Sequence, residues 1–275
     1  MSRLEVIYDA GSSLLHSKRI WLIHFVANPI LFAGFVAWLF LPVATDFHLL
    51  LNGSVIIALV AAALVLHAGT LNFYSERQAA GHPLVREAFS RAIRNILAIA
   101  ACSALIYVFW ALLDCSAQWQ LELPLYIRSL LPEFIRQHLE PWCFQIAIEG
   151  IVFAVRWVLI PGLVLPLLLE ASDSGFRAFG KSGIAALKNS VKRSSYWLLL
   201  LIAAVAGLVA PSSLLEWTPE FKDPTLRLQV FSLIARISAA YILALASWLL
   251  VCALVGRLGR RVAIGGDDAA RNSSA

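Results

Sequence analysis

Charge is what this chain has little of. Only 14% of its 275 residues are Asp, Glu, Lys or Arg, where a soluble domain carries about 25%. That shortage excludes a soluble globular domain of ordinary size. Catalytic signatures are missing too. There is no Walker A loop, no Gly-x-Ser-x-Gly, no His-Glu-x-x-His and no Cys-x-x-Cys, which removes the familiar routes to nucleotide hydrolysis, serine hydrolysis, zinc proteolysis and dithiol redox chemistry. Ser and Thr are scattered without a placed base, and the apolar runs hold no paired Asp of the kind intramembrane proteolysis needs. No enzyme activity, no cofactor and no metal is expected.

What is abundant is apolar sequence, 60% of the chain, with a mean hydropathy of +0.78. A helix needs roughly 20 mostly apolar residues to cross the hydrocarbon of a bilayer. Six runs qualify: Ile20–Leu41, Leu51–Phe73, Ile93–Leu113, Cys143–Leu169, Tyr196–Leu215 and Leu228–Val255. The first is too long for a signal-peptide core, and no small-residue cleavage pattern follows it, so it reads as a retained helix. The expected fold is all-α: one polytopic membrane domain of six transmembrane helices over residues 1–262. The stretch 263–275, with its Gly-Gly, Asp-Asp and Ser-Ser pairs, is expected to be a disordered cytoplasmic tail.

Lys and Arg set the orientation. Sixteen of them lie ahead of the first, third and fifth runs, in the flanks following the second and fourth, or after the sixth; four lie in the other set of connections. Both termini are therefore expected in the cytoplasm of a bacterial inner membrane. The formal charge of +5 becomes a feature of the inner leaflet, suited to anionic phospholipid at about 1 kcal/mol per basic residue near the surface. Spread over four short flanks, the basic residues do not form a nucleic-acid site. Trp21 and Trp197 fall near inner ends, and Trp38, Trp110, Trp142 and Trp217 near outer ends, as an aromatic belt requires.

Each inward-running span follows a basic stretch of similar pattern: Ser12–Arg19, Ala88–Asn95 and Ala186–Arg193. In the last two, apolar residues recur at helical spacing with the basic residues opposite, the pattern of an amphipathic helix lying in the interface. The chain thus reads as three repeats of one interfacial helix and a transmembrane hairpin. The longest outer connection, Asp114–Trp142, holds an apolar stripe at Ile127, Leu130, Leu131, Phe134, Ile135 and Leu139. Pro132 suits the first turn of an outer interfacial helix there.

Ionisable residues inside spans are costly and so are functional candidates. Glu149 and Arg236 fall about 10 and 12 Å below the outer ends of their spans, a depth match that allows an interhelical ion pair. Arg156 is deeper still and has no depth-matched acid in the sequence; backbone carbonyls, water or an anionic ligand are its expected partners. His24 and His67 lie at similar depth near the inner ends of adjacent spans. Without ligand spacing they are expected to bridge helices rather than hold metal, and His24 shares a face with Asn28. Pro161-Gly162 and Pro166 put a kink, or a break of the kind that lines transporter sites, into the fourth run. Cys115 and Cys143 bracket the outer connection; a disulfide between them would close it in an oxidising periplasm, adding about 3–4 kcal/mol in the chain-entropy model.

The stretch Ala-Leu-Lys-Asn-Ser-Val-Lys-Arg leading into Tyr-Trp-Leu-Leu-Leu-Leu, at Ala186–Leu201, has a fainter copy at Ala88–Ala100. This pattern resembles the six-helix membrane domains found beside bacterial glycerophosphodiester phosphodiesterases. The resemblance implies the six-helix architecture alone. These 275 residues contain no phosphodiesterase domain, so the hydrolytic activity and its residues do not carry over. The functional expectation is a non-enzymatic scaffold or accessory subunit that binds anionic lipid or another membrane protein. The alternative is a small transporter component with Glu149, Arg156 and Arg236 along its path, and a lipid-modifying membrane enzyme comes third.

Overall fold

A computed structural model describes residues 11–12, 14, 17–80, 85–136, 138, 140–219 and 225–272, with side chains described up to Gly256 at the C-terminal end. Among the described residues the chain is helix and short connections, with no strand. Six helices are long and apolar enough to cross a membrane: Lys18–Leu39, Asp46–Ser75, Ile96–Cys115, Trp142–Phe179, Ser194–Glu216 and Leu226–Gly256.

In chain order, α1 is Lys18–Leu39, α2 Asp46–Ala80, α3 Val85–Arg94 and α4 Ile96–Cys115. Helix α5 is Ala117–Leu130, and α6 is one turn, Glu133–Arg136. The fourth span is α7, Pro141–Ala154, a wider π-helical stretch Val155–Leu159, and α8, Ile160–Ser174. After a 3₁₀ turn at Gly175–Phe179 comes α9, Lys181–Val191. The fifth span is α10, Ser194–Ala204, a second π-helical stretch Val205–Val209, and α11, Ala210–Glu216; α12 runs Leu226–Asn272.

Each π-helical stretch is followed by proline one position into the next helix, Pro161 and Pro211. In a regular α-helix the proline ring would strike the carbonyl four residues back. The backbone widens instead: Ile160 N–H donates to the Val155 carbonyl and Ala210 N–H to Val205, each five residues back. The expected kink in the fourth span is thus a π-bulge, and the fifth span carries a matching one.

Packing is lopsided. Apart from Pro211 and a few residues at mid-span (Val158, Ile160 and Ala240), the buried residues of the six spans lie in the half nearer the Lys- and Arg-rich connections. They include Ile20 and His24 in α1, Ala68–Tyr74 in α2, Ala98, Ile99 and Cys102 in α4, and Val164–Pro166, Leu168, Leu169, Ala171 and Ser172 in the fourth span. The fifth span adds Tyr196, Leu199, Leu200, Ala203 and Ala204, and the sixth Leu245, Leu249 and Val251–Val255. Helix α7 buries no residue whose side chain is described, and packs chiefly on α5. The bundle is therefore tight at the basic end and open towards the other.

Polar side chains lock the tight end. Asn95 donates to the carbonyls of Ser172 and Asp173, 2.9 and 3.1 Å away, and so caps the end of α8, where the last carbonyls have no helical partner. Gly175 follows with φ 64°, the left-handed cap that favours glycine. Ser172 Oγ donates to Asn72 Oδ1 at 2.5 Å, and Asn72 Nδ2 donates to the Ala88 carbonyl, joining α2, α3 and α8. Trp21 Nε1 donates to the Leu14 carbonyl and Trp197 Nε1 to Val191. The first and fifth spans therefore each tie their start to the preceding segment in the same way. Three residues of the first basic stretch, 13, 15 and 16, lie outside the described residues.

Two expectations about connections change. Pro132 forces the residue before it into an extended conformation, and Leu131 sits at φ −79°, ψ 146°. This splits the stripe from Ile127 to Leu139, so the helix of the outer connection is α5, ahead of the proline. At the other end, α12 continues as helix through Asn272, where a disordered tail from Ala263 was expected. Extending a formed helix needs no new nucleus.

Candidate functional site

Midway along the bundle, where the tight half gives way, the spans leave a partly open cavity of about 340 Å³. Its walls come from α2 (Leu64, His67, Ala68), α4 (Ile99, Ser103, Ile106, Trp110), the fourth span (Trp157, Pro161, Leu165, Leu168), the fifth (Leu200, Ala203, Ala204, Gly207, Leu208) and α12 (Ala244, Ser247, Trp248, Val251). Both π-bulges reach it, through Trp157 and through Gly207 and Leu208. The lining is apolar except at a few points. His67 Nδ1 and Trp248 Nε1 are buried without a hydrogen-bond partner among the described residues. Their rings meet edge to face, with centroids 5.0 Å apart.

Behind His67 lies a satisfied polar network. His24 Nε2 is 2.9 Å from Thr70 Oγ1, and Thr70 donates to the Leu66 carbonyl at 2.7 Å. Thr70 has one proton and has spent it, so it accepts from His24, and His24 carries its proton on Nε2. The Nδ1 atom then accepts from Asn28, 3.4 Å away. Asn28 also donates to Tyr241 Oη, which itself donates to the His24 carbonyl at 2.9 Å. Four side chains thus join α1, α2 and α12. The shared face of His24 and Asn28 was readable from their spacing; their partners 46 and 213 residues away were not.

The charged candidates are separated. Arg156 forms an ion pair with Asp114, its Nη2 donating to both carboxylate oxygens at 2.7 and 2.9 Å. Its backbone carbonyl accepts from Trp110 Nε1 at 3.0 Å, and its guanidinium lies 5.7 Å from the Trp110 ring centre. The missing acid is therefore Asp114, which stands at the end of α4. The expected Glu149–Arg236 pair does not form. Glu149 is exposed and accepts from Gln145 at 2.9 Å, one turn back on α7. Arg236 donates to the carbonyls of Leu215 and Trp217, which α11 leaves free at its end. Equal depth brought no pairing, because α7 leans on α5 while α12 packs on α11.

The expected disulfide is also absent: Cys115 and Cys143 are both free. Cys115 ends α4, whereas Cys143 is on α7, which reaches the bundle through α5. Cys102 and Cys252 are buried thiols within the core. No cluster of three metal-ligating side chains occurs among the described residues. His67 faces the cavity, and its ring centre lies 5.8 Å from that of His24. Trp248 is the residue that sequence reasoning passed over. Together with Trp157 it is a tryptophan inside a span rather than at an end, and both line the cavity.

The rim of the tight end carries a second feature. Phe176 and Phe179 are 62% and 45% exposed and their rings stack 6.1 Å apart, while Gly175 and Ala178 between and before them are buried. Arg177 and Lys181 are exposed beside them, as are Arg86, Arg94, Lys188 and Lys192 on the same end. Arg91, by contrast, is held by Asp173 at 2.9 Å. Comparison with known proteins finds no matching family model, curated protein or solved structure.

Proposed function

We propose that this chain is a non-enzymatic accessory or scaffold subunit of a bacterial inner membrane. In this reading both termini face the cytoplasm and the basic end of the bundle engages anionic phospholipid. The observation that carries it is the Gly175–Phe179 turn. There the backbone turns its small residues inward and presents two stacked phenylalanines outward, interleaved with Arg177 and Lys181. Exposed aromatic rings beside free cations suit the boundary between headgroups and acyl chains. Each cation contributes about 1 kcal/mol near an anionic surface.

The test is lipid selection by the full chain in vesicles containing spin-labelled phosphatidylglycerol or phosphatidylcholine. Phosphatidylglycerol should be enriched around the wild-type protein, and less so in Arg177→Gln/Lys181→Gln or at high salt, because the attraction is screened. Equal association of both lipids with wild type would reject the reading.

One observation favours a partner membrane protein as well. Glu149 is exposed on α7 with Gln145 beside it, and the space around the neighbouring Gly150 is open, with nothing within 4 Å of an added Cβ. A carboxylate on a lipid-facing span is costly, and a partner helix carrying a donor or cation would relieve that cost. The transport reading has less behind it: Glu149, Arg156 and Arg236 belong to three separate contacts, and none of them lines the cavity.

A further inference from the structure

We infer that the outward face of α3 is a binding site for one phospholipid whose headgroup carries both a phosphate and a primary ammonium. Arg86, Ser90 and Arg94 hold the phosphate, and Glu87 holds the ammonium. The inference rests on the reading that the basic end of the bundle meets lipid headgroups, and adds to it a site that reads the headgroup amine.

Helix α3 has two opposed faces. Ala88 and Ala92 are fully buried, and the Ala88 carbonyl accepts from Asn72 of α2, so the helix is held in one orientation. The other face opens on a groove of about 660 Å³ lined by Arg86, Glu87, Ser90, Arg91 and Arg94. Arg86 stands four residues before Ser90, Arg94 four after it and Glu87 three before it, spacings that put all three side chains beside the hydroxyl. The charges on this face are largely unspent. Arg91 is paired with Asp173 at 2.9 Å. Arg86, Glu87 and Arg94 are exposed, and none of them forms an ion pair among the described residues. Arg86 also stands in the first turn of α3, the end of a helix where the dipole disfavours a cation. The fold does not account for it there; an anion in the groove does. Two guanidinium groups and a hydroxyl on one stripe suit a phosphate, which accepts several charge-assisted hydrogen bonds. Glu87 would repel a bare anion. A carboxylate beside a phosphate site instead suits a ligand with a cation close to its phosphate, and a primary ammonium has three N–H donors to give it. Ile93, three residues past Ser90, and Leu97, at the start of α4, are 58% and 72% exposed. They offer acyl chains an apolar path that a soluble ligand would leave uncovered.

The experiment is native mass spectrometry of the delipidated full chain titrated with dioleoylphosphatidylethanolamine or dioleoylphosphatidylcholine. The two lipids share phosphate and acyl chains and differ in the methyl groups on nitrogen. The first phosphatidylethanolamine should bind about fivefold more tightly, the worth of one hydrogen bond at an exposed site. Glu87→Ala should bring the two lipids to the same affinity. Arg86→Gln/Arg94→Gln should weaken both several-fold, and Arg177→Gln/Lys181→Gln, on the neighbouring rim, should leave the preference intact. Equal affinity of wild-type protein for the two lipids would overturn the inference. So would a preference that survives Glu87→Ala, or binding of both lipids indifferent to Arg86→Gln/Arg94→Gln. Displacement of the lipid by an equal concentration of phosphoethanolamine would overturn it too, assigning the groove to a soluble ligand. Phosphatidylglycerol separates the inference from the reading beneath it. If wild-type protein selects phosphatidylglycerol over phosphatidylcholine but not phosphatidylethanolamine, the α3 site falls and the lipid-binding basic end stands; if it selects neither, both fall.

Discussion

Replacing Thr70 by Val tests the polar network that ties three spans together. Thr70 and His24 are both fully buried, and their hydrogen bond is 2.9 Å long. Valine keeps the shape of threonine but cannot accept a hydrogen bond. The Leu66 carbonyl loses little, because it sits within a helix and keeps the main-chain environment of α2. His24 Nε2–H, however, is left buried without a partner, a cost of about 1–3 kcal/mol. Interhelical hydrogen bonds within membranes average nearer 0.6 kcal/mol, so the expected destabilisation is about 1 kcal/mol. His24→Leu is a different perturbation. It removes the donor and strands nothing on Thr70, whose proton stays on Leu66. In a His24→Leu background, Thr70→Val should therefore cost almost nothing. Equilibrium unfolding in mixed micelles, run as a double-mutant cycle, measures the difference. If Thr70→Val costs the same in both backgrounds, the network does not couple α1 to α2, and the proton assignment on His24 falls with it.

Further outcomes follow from other contacts. Gly162→Ala should destabilise by about 1–3 kcal/mol through overpacking, because its Cβ would sit 2.5 Å from the Trp197 ring; Gly150→Ala, in open space, should be neutral or slightly stabilising in the same unfolding assay. Asp114→Asn should cost no more than about 1 kcal/mol, since the Asp114 side chain is 60% exposed and its pair with Arg156 is correspondingly screened; a larger loss would mean that this pair supports the Trp110–Trp157 packing. Maleimide labelling of folded protein without reductant should modify Cys115 and spare buried Cys102 and Cys252, whereas protection of Cys115 that is lifted by reductant would restore the disulfide.

The six spans were legible because crossing hydrocarbon imposes a length and a composition that no tertiary contact can override. Their polar partners were not, and the reasons differ. Arg156 was left without an acid because depth matching considered span interiors, whereas Asp114 stands at a helix end and the long arginine side chain reaches it. Glu149 and Arg236 share a depth but belong to helices that do not pack together, and sequence carries no record of which spans are neighbours. Helix α5 was missed because its residues lack a strong apolar stripe, and because Pro132 drew the helix to its own far side. The π-bulges had a signal, proline within a long apolar run, but Pro161 was read as a kink and Pro211 was not weighed. Trp157 and Trp248 offered a better clue. Once the belt positions are assigned to the other tryptophans of the spans, these two remain within the hydrocarbon, where an indole N–H needs a partner.

If the chain works by holding other molecules in the membrane, native mass spectrometry of the protein gently extracted from its own membrane will show them. The account predicts anionic phospholipid retained above its share of the bulk lipid, together with a second polypeptide at fixed stoichiometry. A bare chain, carrying neither enriched anionic lipid nor a partner, would contradict it.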